Sequence, residues 1–456
     1  MPHPHDEAVL EEQIDQWRGY LRRRQAIQSV DVAELEDHLR EQIAALADAG
    51  LAYDEAFLVA VKRMGSLDAL SREFAREHSD RLWKQLVIAP AGAGETSAGA
   101  GREALVAFGL ALAAAAFVKA PSLFGLHWGQ AEGFYLRNVS LFVLPLLAGY
   151  FVWKRGLGPR DLSRLVVVFV AAALVVNLLP FVAGGSTEVL AGLHLPIALW
   201  LAVGLAYAGG RWGQVAGRMD FIRFSGELFI YYALIALGGG VFTAFMVVIF
   251  QAIGTDVEGF FESWLLPCGA TGAVIIAAWL VEAKQSVIEN MAPVLTRLFT
   301  PLFAALLVAF LVTVALTGRA IDVQRDVLIA FDLLLVVVLG LLLYSVSARD
   351  PQAPPGIFDT LQVVLLTSAL VADAVALWAI AARISGFGWT PNRVAALGEN
   401  VILLVNLAWS LVLYAGFLRG RRPFARLEQW QTDYLPVYAA WAALVVVVFP
   451  PLFGYR

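Results

Sequence analysis

A carboxylate in the middle of a long apolar run is costly, and this chain places two there. Asp332 stands in LIAFDLLLVVVLGLLLYS and Asp373 in LLTSALVADAVALWAI. On insertion scales one such charge at the centre of a membrane helix costs about 3 kcal/mol, so intramembrane carboxylates mark candidate functional sites. Two carboxylates a few ångströms apart do not both ionise readily: one holds a proton, or a cation sits between them. That is the chemistry a proton-coupled or cation-coupled carrier needs. The alternative is a fastening, in which each Asp is protonated and bonded to a neighbouring helix, or reaches a hydrated vestibule without any transport. Asn177, Asn406 and Thr313 are the further polar side chains that helical spacing brings toward the same level.

The elements that must position these groups are eleven apolar stretches, at 104–120, 138–153, 165–182, 195–210, 224–250, 264–282, 298–317, 327–346, 360–382, 399–418 and 435–453. A hydrocarbon core of roughly 30 Å takes about 20 residues of helix, because a lipid-exposed backbone must satisfy its own hydrogen bonds. The expected fold class is therefore all-α, a polytopic membrane protein of about 11 spans behind an N-terminal cytoplasmic helical bundle. Loop charge orients it. With the N-terminus inside, the inner loops carry more than twice as many Lys and Arg as the outer ones, whose set is Lys119, Arg137, Arg319, Arg325, Arg383 and Arg393. The positive-inside rule then places the N-terminus in the cytoplasm, the C-terminus outside and the protein in a bacterial inner membrane. At 1.5 Å per residue, Asp332 lies about 9 Å, Asp373 about 12 Å and Asn406 about 10 Å inward from the outer ends of their spans.

Composition agrees, with 59% hydrophobic residues, 16% charged and 13 Trp. Residues 1–102 hold 18 acidic and 12 basic side chains, leaving 20 and 21 for the rest, so the head is acidic and is not expected to bind nucleic acid. MPHPHDEAVLEEQ has no basic segment followed by an apolar core, so the first span rather than a signal peptide is expected to direct insertion. Cys268 is the lone cysteine, and the membrane region has only His127 and His194. No H-E-x-x-H, G-x-S-x-G or phosphate-cradling Gly-Lys-Ser/Thr loop is present, so no catalytic residue, metal site or cofactor is expected and the chain does not read as an enzyme.

Other segments carry weaker chemistry. In FIRFSGELFIYYALIALGGGVF, Arg223 and Glu227 stand four apart and are expected to pair at the inner interface. Gly238, Gly239 and Gly240 fall mid-span, where they predict close helix packing or a hinge. This Arg-Phe-x-Gly-Glu entry with its glycine-rich centre resembles the uncharacterised bacterial membrane family called domain of unknown function 4153, a resemblance that implies no substrate and no catalytic residue. Pro196, Pro267 and Pro301 stand where they kink or start helices. The outer loop with Asp256, Glu258 and Glu262 lacks any basic residue. The inner loop FLRGRRPFARLEQWQTDY interleaves arginines with Phe424, Trp430 and Tyr434, which suits membrane lipids with anionic headgroups.

In the head, Leu10, Ile14, Trp17 and Leu21 form one apolar stripe at helical spacing. A second helix is expected from Asp31, capped by its side chain with Glu34, to Gly50, burying Leu35, Leu39, Ile43 and Leu46. A third runs from Asp54 to Met64, and a fourth follows Ser66 with Leu67, Leu70 and Phe74 inward. The stretch ELEDHLREQIAALADAGLAYDEAFLVAVKRMGSLDALSREFAREH resembles the bacterial permease-prefix domain and is similar to HAAS-type modules. His38 in its acidic helix, the turn Ala49 to Leu51, the run Asp54 to Phe57 and Arg63 to Gly65 carry the resemblance. It implies a cytoplasmic adaptor over residues 1–86 that docks to a protein partner. Beside Glu34 and Glu41, His38 is either a pH-sensitive contact or part of a solvated helix surface. Residues 87–102, rich in Gly, Ala, Ser and Thr, read as a flexible linker to a membrane domain at 103–456, with Trp83 and Lys84 at its edge.

The sequence thus predicts a regulatory or sensor-type membrane protein with a docking head. A proton- or cation-coupled carrier using Asp332 and Asp373 is the second reading, and an intramembrane enzyme on a lipid-linked substrate the third.

Overall fold

The structure is a computed structural model that describes residues 10, 14, 29–48, 51, 56, 57, 59, 60, 97–252, 255, 257–283, 291–317 and 325–456. Every regular element among them is helical. The chain divides into two compact units, Met1–Gly99 and Ala100–Arg456.

The first unit contains α1 (Ser29–Asp48), which starts two residues before the expected cap, so Asp31 lies inside the helix. The helix ends where the Leu51 N–H reaches back to the Leu46 carbonyl at 3.2 Å, a bond that answers one of the carbonyls a helix end leaves open. Leu39, Ile43 and Leu46 pack with Ile14, Ala56 and Ala60 into a small core. The apolar stripes of the first two predicted helices meet there, as their spacing requires. Trp17, Leu21, the fourth helix, Trp83 and Lys84 lie outside the described residues, as do the side chains of Leu35 and His38.

The second unit is built from α2 (Ser97–Lys119, continued by a 3-10 turn Ala120–Phe124), α3 (Glu132–Arg155), α4 (Pro159–Leu178), α5 (Ser186–Ala208) and α6 (Val215–Ala252), followed by α7 (Leu266–Ala283), α8 (Met291–Thr317), α9 (Arg325–Ala348), α10 (Ile357–Phe387), α11 (Pro391–Leu418), α12 (Ala425–Val447) and α13 (Phe449–Leu452). α7 is entered through a π-helical turn, Phe261–Leu265. The linker expected at 87–102 is helical from Ser97 onward, because its alanines are strong helix formers and it leads directly into an apolar run.

Among the described residues, ten helices, α2 to α11, are long and apolar enough to cross a membrane. Their outward faces are apolar: Leu105 and Leu316, for example, are 76% and 82% exposed. A belt of that kind is a liability in water and fits hydrocarbon. The stretch 435–453 falls in α12 and α13; α12 begins at Ala425 and its first half, ARLEQWQTDY, is polar.

Two apolar cores organise this unit. α3 to α7 share one around Phe151, Tyr207, Phe221 and Phe224, and α8 to α12 share another around Leu335, Leu365, Leu407 and Tyr414. The first third of α6 contributes to both, through Phe221 and Phe224 on one side and Met219 and Ile222 on the other. Two glycines lie against aromatic rings: a Cβ on Gly226 would stand 2.6 Å from the Tyr344 ring, and one on Gly398 would stand 2.0 Å from Trp441.

At the far ends of α3 and α7 an ion cluster ties helices together. Glu282 is buried and accepts from Arg155 at 2.9 and 3.0 Å, with Lys154 at 3.1 Å. Lys154 also pairs with Glu103 of α2, which accepts from the Tyr150 hydroxyl. The hairpin between α9 and α10 is pinned by Arg349. Its guanidinium donates to both Asp359 oxygens at 2.9 and 3.2 Å and lies between the Phe417 and Phe424 rings.

Candidate functional site

Four helices deliver titratable or amide side chains to one place. Asp332 projects from α9, two turns after its start; Asp373 comes from the middle of α10; Glu399 and Asn400 come from α11; His194 comes from α5. Asn400 is fully buried and its Nδ2 donates both hydrogens, to Asp332 Oδ1 at 2.7 Å and to the Ala396 carbonyl at 2.8 Å. That bond fixes the rotamer of Asp332, which is only half-buried.

Behind it lies Asp373, which is 0% exposed, and neither of its carboxylate oxygens has a hydrogen-bond partner. The Asn400 Oδ1 is likewise buried and unpartnered. Asp332 lies within electrostatic range of Asp373, and Glu399 within range of Asp332. Among the described residues no Lys, Arg or His lies within ion-pair distance of either Asp, and no three His, Cys, Asp or Glu side chains converge as a metal site. A carboxylate in that setting is answered by a proton or by a small cation, since an isolated buried charge costs far more than either.

His194 extends the cluster outward. Its Nδ1 faces the Leu190 carbonyl at 2.8 Å, so Nδ1 carries a hydrogen and donates it. Its Nε2 faces Glu399 Oε1 at 2.6 Å. The two side chains meet as a hydrogen-bonded pair that joins α5 to α11. Glu399 is 36% exposed by its side chain, against 7% for His194. Glu399 and Asp332 are half-buried and Asp373 is wholly buried, and each carries a group able to take or give a proton.

The other expected site residues stand elsewhere. Asn406, six residues along α11 from Asn400, donates to Gln431 Oε1 at 3.2 Å, while Gln431 donates to Ser410 Oγ at 2.6 Å. That buried network fastens α11 to α12. Asn177 and Asn138 exchange amide bonds at 2.8 and 3.0 Å and join α3 to α4. Thr313 bonds back to the Ala309 carbonyl of its own helix at 2.8 Å.

Gly238, Gly239 and Gly240 lie in an unbroken stretch of α6, are exposed, and have nothing within 4 Å of where a Cβ would be. They neither hinge this helix nor receive a neighbour within the chain, because that half of α6 turns its face away from the bundle. Instead of closing on Glu227, the Arg223 guanidinium donates from Nε to the Ser347 carbonyl at 3.2 Å, tying α6 to the end of α9. Glu227 is buried beneath it. In the outer loop Glu258 accepts from Gln251 at 2.8 Å, and Asp256 lies outside the described residues.

His194, Glu399 and Asn400 were not among the residues singled out from sequence. The available signal was the adjacent Glu399 and Asn400, two polar side chains where an apolar run begins. No protein-family model, curated protein or solved structure matches this chain.

Proposed function

We propose that this chain is a multi-pass protein of a bacterial inner membrane whose membrane domain loads and releases a proton, or a small monovalent cation, at Asp332 and Asp373. One observation carries the reading: Asp373 is wholly buried with both carboxylate oxygens unpartnered, against a second carboxylate held in place by Asn400. A purely structural aspartate would have been matched to donors, as Asp359 is by Arg349. His194 and Glu399 form the outward end of the relay, and Asp373 its inner terminus. In this reading α12 and α13 supply an eleventh crossing, the N-terminus is cytoplasmic and the C-terminus external, in keeping with loop charge. The reaction is coupled exchange and not covalent catalysis, and no cofactor enters it.

The test is flux in proteoliposomes. Reconstituted full-length protein should respond to an imposed proton or sodium gradient, reported by an internal pH dye or by sodium uptake. Asp373→Asn should abolish the response and Asp332→Asn should diminish it. Equal flux in wild type and Asp373→Asn overturns the reading.

A second reading rests on a different observation, that Met1–Gly99 forms a compact unit of its own. Together with the permease-prefix resemblance, this supports a cytoplasmic adaptor within residues 1–86 that recruits a protein partner, so that the membrane domain is regulated or senses through it. Crosslinking of the full chain in its host membrane, compared with a chain lacking residues 1–86, should capture a partner that the shortened chain loses. An unchanged partner set would count against the adaptor.

A further inference from the structure

Where α11 gives way to α12, the chain gathers arginines that no described carboxylate pairs with. α11 stops at Leu418, the turn passes through Gly420 at φ +65, and the Arg421 N–H closes it on the Gly416 carbonyl at 2.9 Å. The left-handed Gly420 lets the chain reverse within a few residues, so Arg421 and Arg422 come to stand beside Arg426 in the first turn of α12. These three, with Trp409 and Trp430, line a cleft of about 580 Å³.

The one carboxylate in its wall, Asp433, is already taken, by Arg218 of α6 at 2.5 Å. Among the described residues none of the three cleft arginines has a carboxylate within ion-pair distance, whereas Arg218, Arg155 and Arg349 each do. Arg422 lies over the Trp409 ring at 5.6 Å, and the Trp409 and Trp430 rings stand 6.0 Å apart. The Trp430 N–H is spent on the Asn406 carbonyl at 3.3 Å, which leaves its ring face as cleft wall. The first turn of α12 adds the positive end of a helix that no side chain caps.

We infer that this cleft binds a phosphate group carried on a larger molecule, a lipid or a soluble phosphate compound. Guanidinium forks match the oxygens of a phosphate, and three of them exceed what a single carboxylate can answer. The volume lies in the range of small-molecule sites, about 300–1,000 Å³, and so exceeds a bare phosphate; the tryptophans take the remainder of the ligand. Paired Trp and Arg at the end of an apolar helix are what an anionic lipid headgroup meets at a membrane surface, and a soluble phosphate ester offers the same chemistry. The inference stands apart from the Asp332 and Asp373 reading, because no residue is shared.

The experiment uses the full-length protein in a neutral detergent, titrated separately with short-chain phosphatidylglycerol, with short-chain phosphatidylcholine and with inorganic phosphate or pyrophosphate, and read by thermal shift and native mass spectrometry. Arg421→Gln, Arg422→Gln and Arg426→Gln are compared with Arg164→Gln, an exposed arginine paired with Asp161 outside the cleft. All three cleft arginines are exposed, so their variants should keep the wild-type unfolding temperature without ligand. Each cleft substitution should weaken binding by about tenfold or more, the size of a lost charge-assisted hydrogen bond, and Arg164→Gln should not. Arg→Lys at all three positions, which keeps the charge and removes the fork, should fall between.

Phosphatidylglycerol binding that inorganic phosphate does not compete away, with phosphatidylcholine weaker, identifies a lipid headgroup. Binding of inorganic phosphate or pyrophosphate that competes with the lipid identifies a soluble phosphate compound. If no phosphate-bearing probe binds, or if the cleft variants bind as well as Arg164→Gln, the inference is overturned.

Discussion

Two clusters in the membrane domain bury carboxylates, and they are solved in opposite ways. Glu282, almost wholly buried, receives Arg155 and Lys154 within 3.1 Å, and Glu103 beside it is held by Lys154 and Tyr150. Asp373 is buried just as deeply with no cation and no donor. In the first cluster each removed charge leaves another stranded, which is the mark of a fastening. In the second no described residue supplies the partner, which is the opening the proposed ion would fill. Identical chemistry, a carboxylate among apolar helices, thus serves cohesion in one place and, in the proposed reading, exchange in the other, and what separates the two is the company each one keeps.

That contrast is open to attack, most sharply where the expected effect is largest. Glu282→Gln removes the carboxylate shared by Arg155 and Lys154 and should lower stability by about 3–5 kcal/mol, read from the unfolding midpoint in detergent. Asn400→Ala takes the donor from Asp332 and should cost about 1.5–3 kcal/mol. Asp373→Asn breaks no bond, so stability should move by less than about 1 kcal/mol in either direction while exchange disappears. A ranking with Asp373→Asn more damaging than Glu282→Gln would dissolve the distinction.

The smallest effect lies at Glu428, outside the apolar spans. Burial pushes its carboxyl above the usual value, and the nearby Arg223 opposes that shift without cancelling it. With the folded value raised, the favourable contribution is complete below the unfolded pKa of 4.5 and is lost as pH climbs through the folded value. Glu428→Gln should therefore raise the unfolding midpoint slightly at neutral pH and leave it unchanged at pH 4.

Much of this frame was legible in the residues themselves. Twenty-residue apolar runs with few charges leave little choice but membrane-length helices, and ten of the expected spans correspond to α2 through α11. Helix rise alone put Asp332 and Asp373 at similar depth, but depth says nothing about rotation. Asn406 lies about 9 Å along α11 from the Asn400 that meets Asp332, and bonds instead with Gln431 and Ser410, on the side of α11 that packs against α12.

The polar first half of α12 hides its helix for the same reason. Gln431 and Thr432 are buried, with Gln431 donating to Ser410 on α11 and Arg218 of α6 donating to Thr432, contacts that no local pattern announces. His194 and Glu399 are 205 residues apart, and only the folded arrangement of α5 and α11 makes them partners. The glycines repeat the lesson. The conspicuous triplet at 238–240 meets open space, whereas the solitary Gly226 and Gly398 sit under aromatic rings.

The central claim is that the Asp332 and Asp373 site itself takes up and gives back an ion, whatever the transported species or partner proves to be. Charge displacement on a solid-supported membrane measures that step directly, after a rapid jump in pH or in sodium concentration across adsorbed proteoliposomes. Wild type and Arg164→Gln should give a transient current that is reduced in Asp332→Asn and absent in Asp373→Asn. A wild-type response indistinguishable from protein-free membranes, or one that Asp373→Asn retains in full, would contradict it.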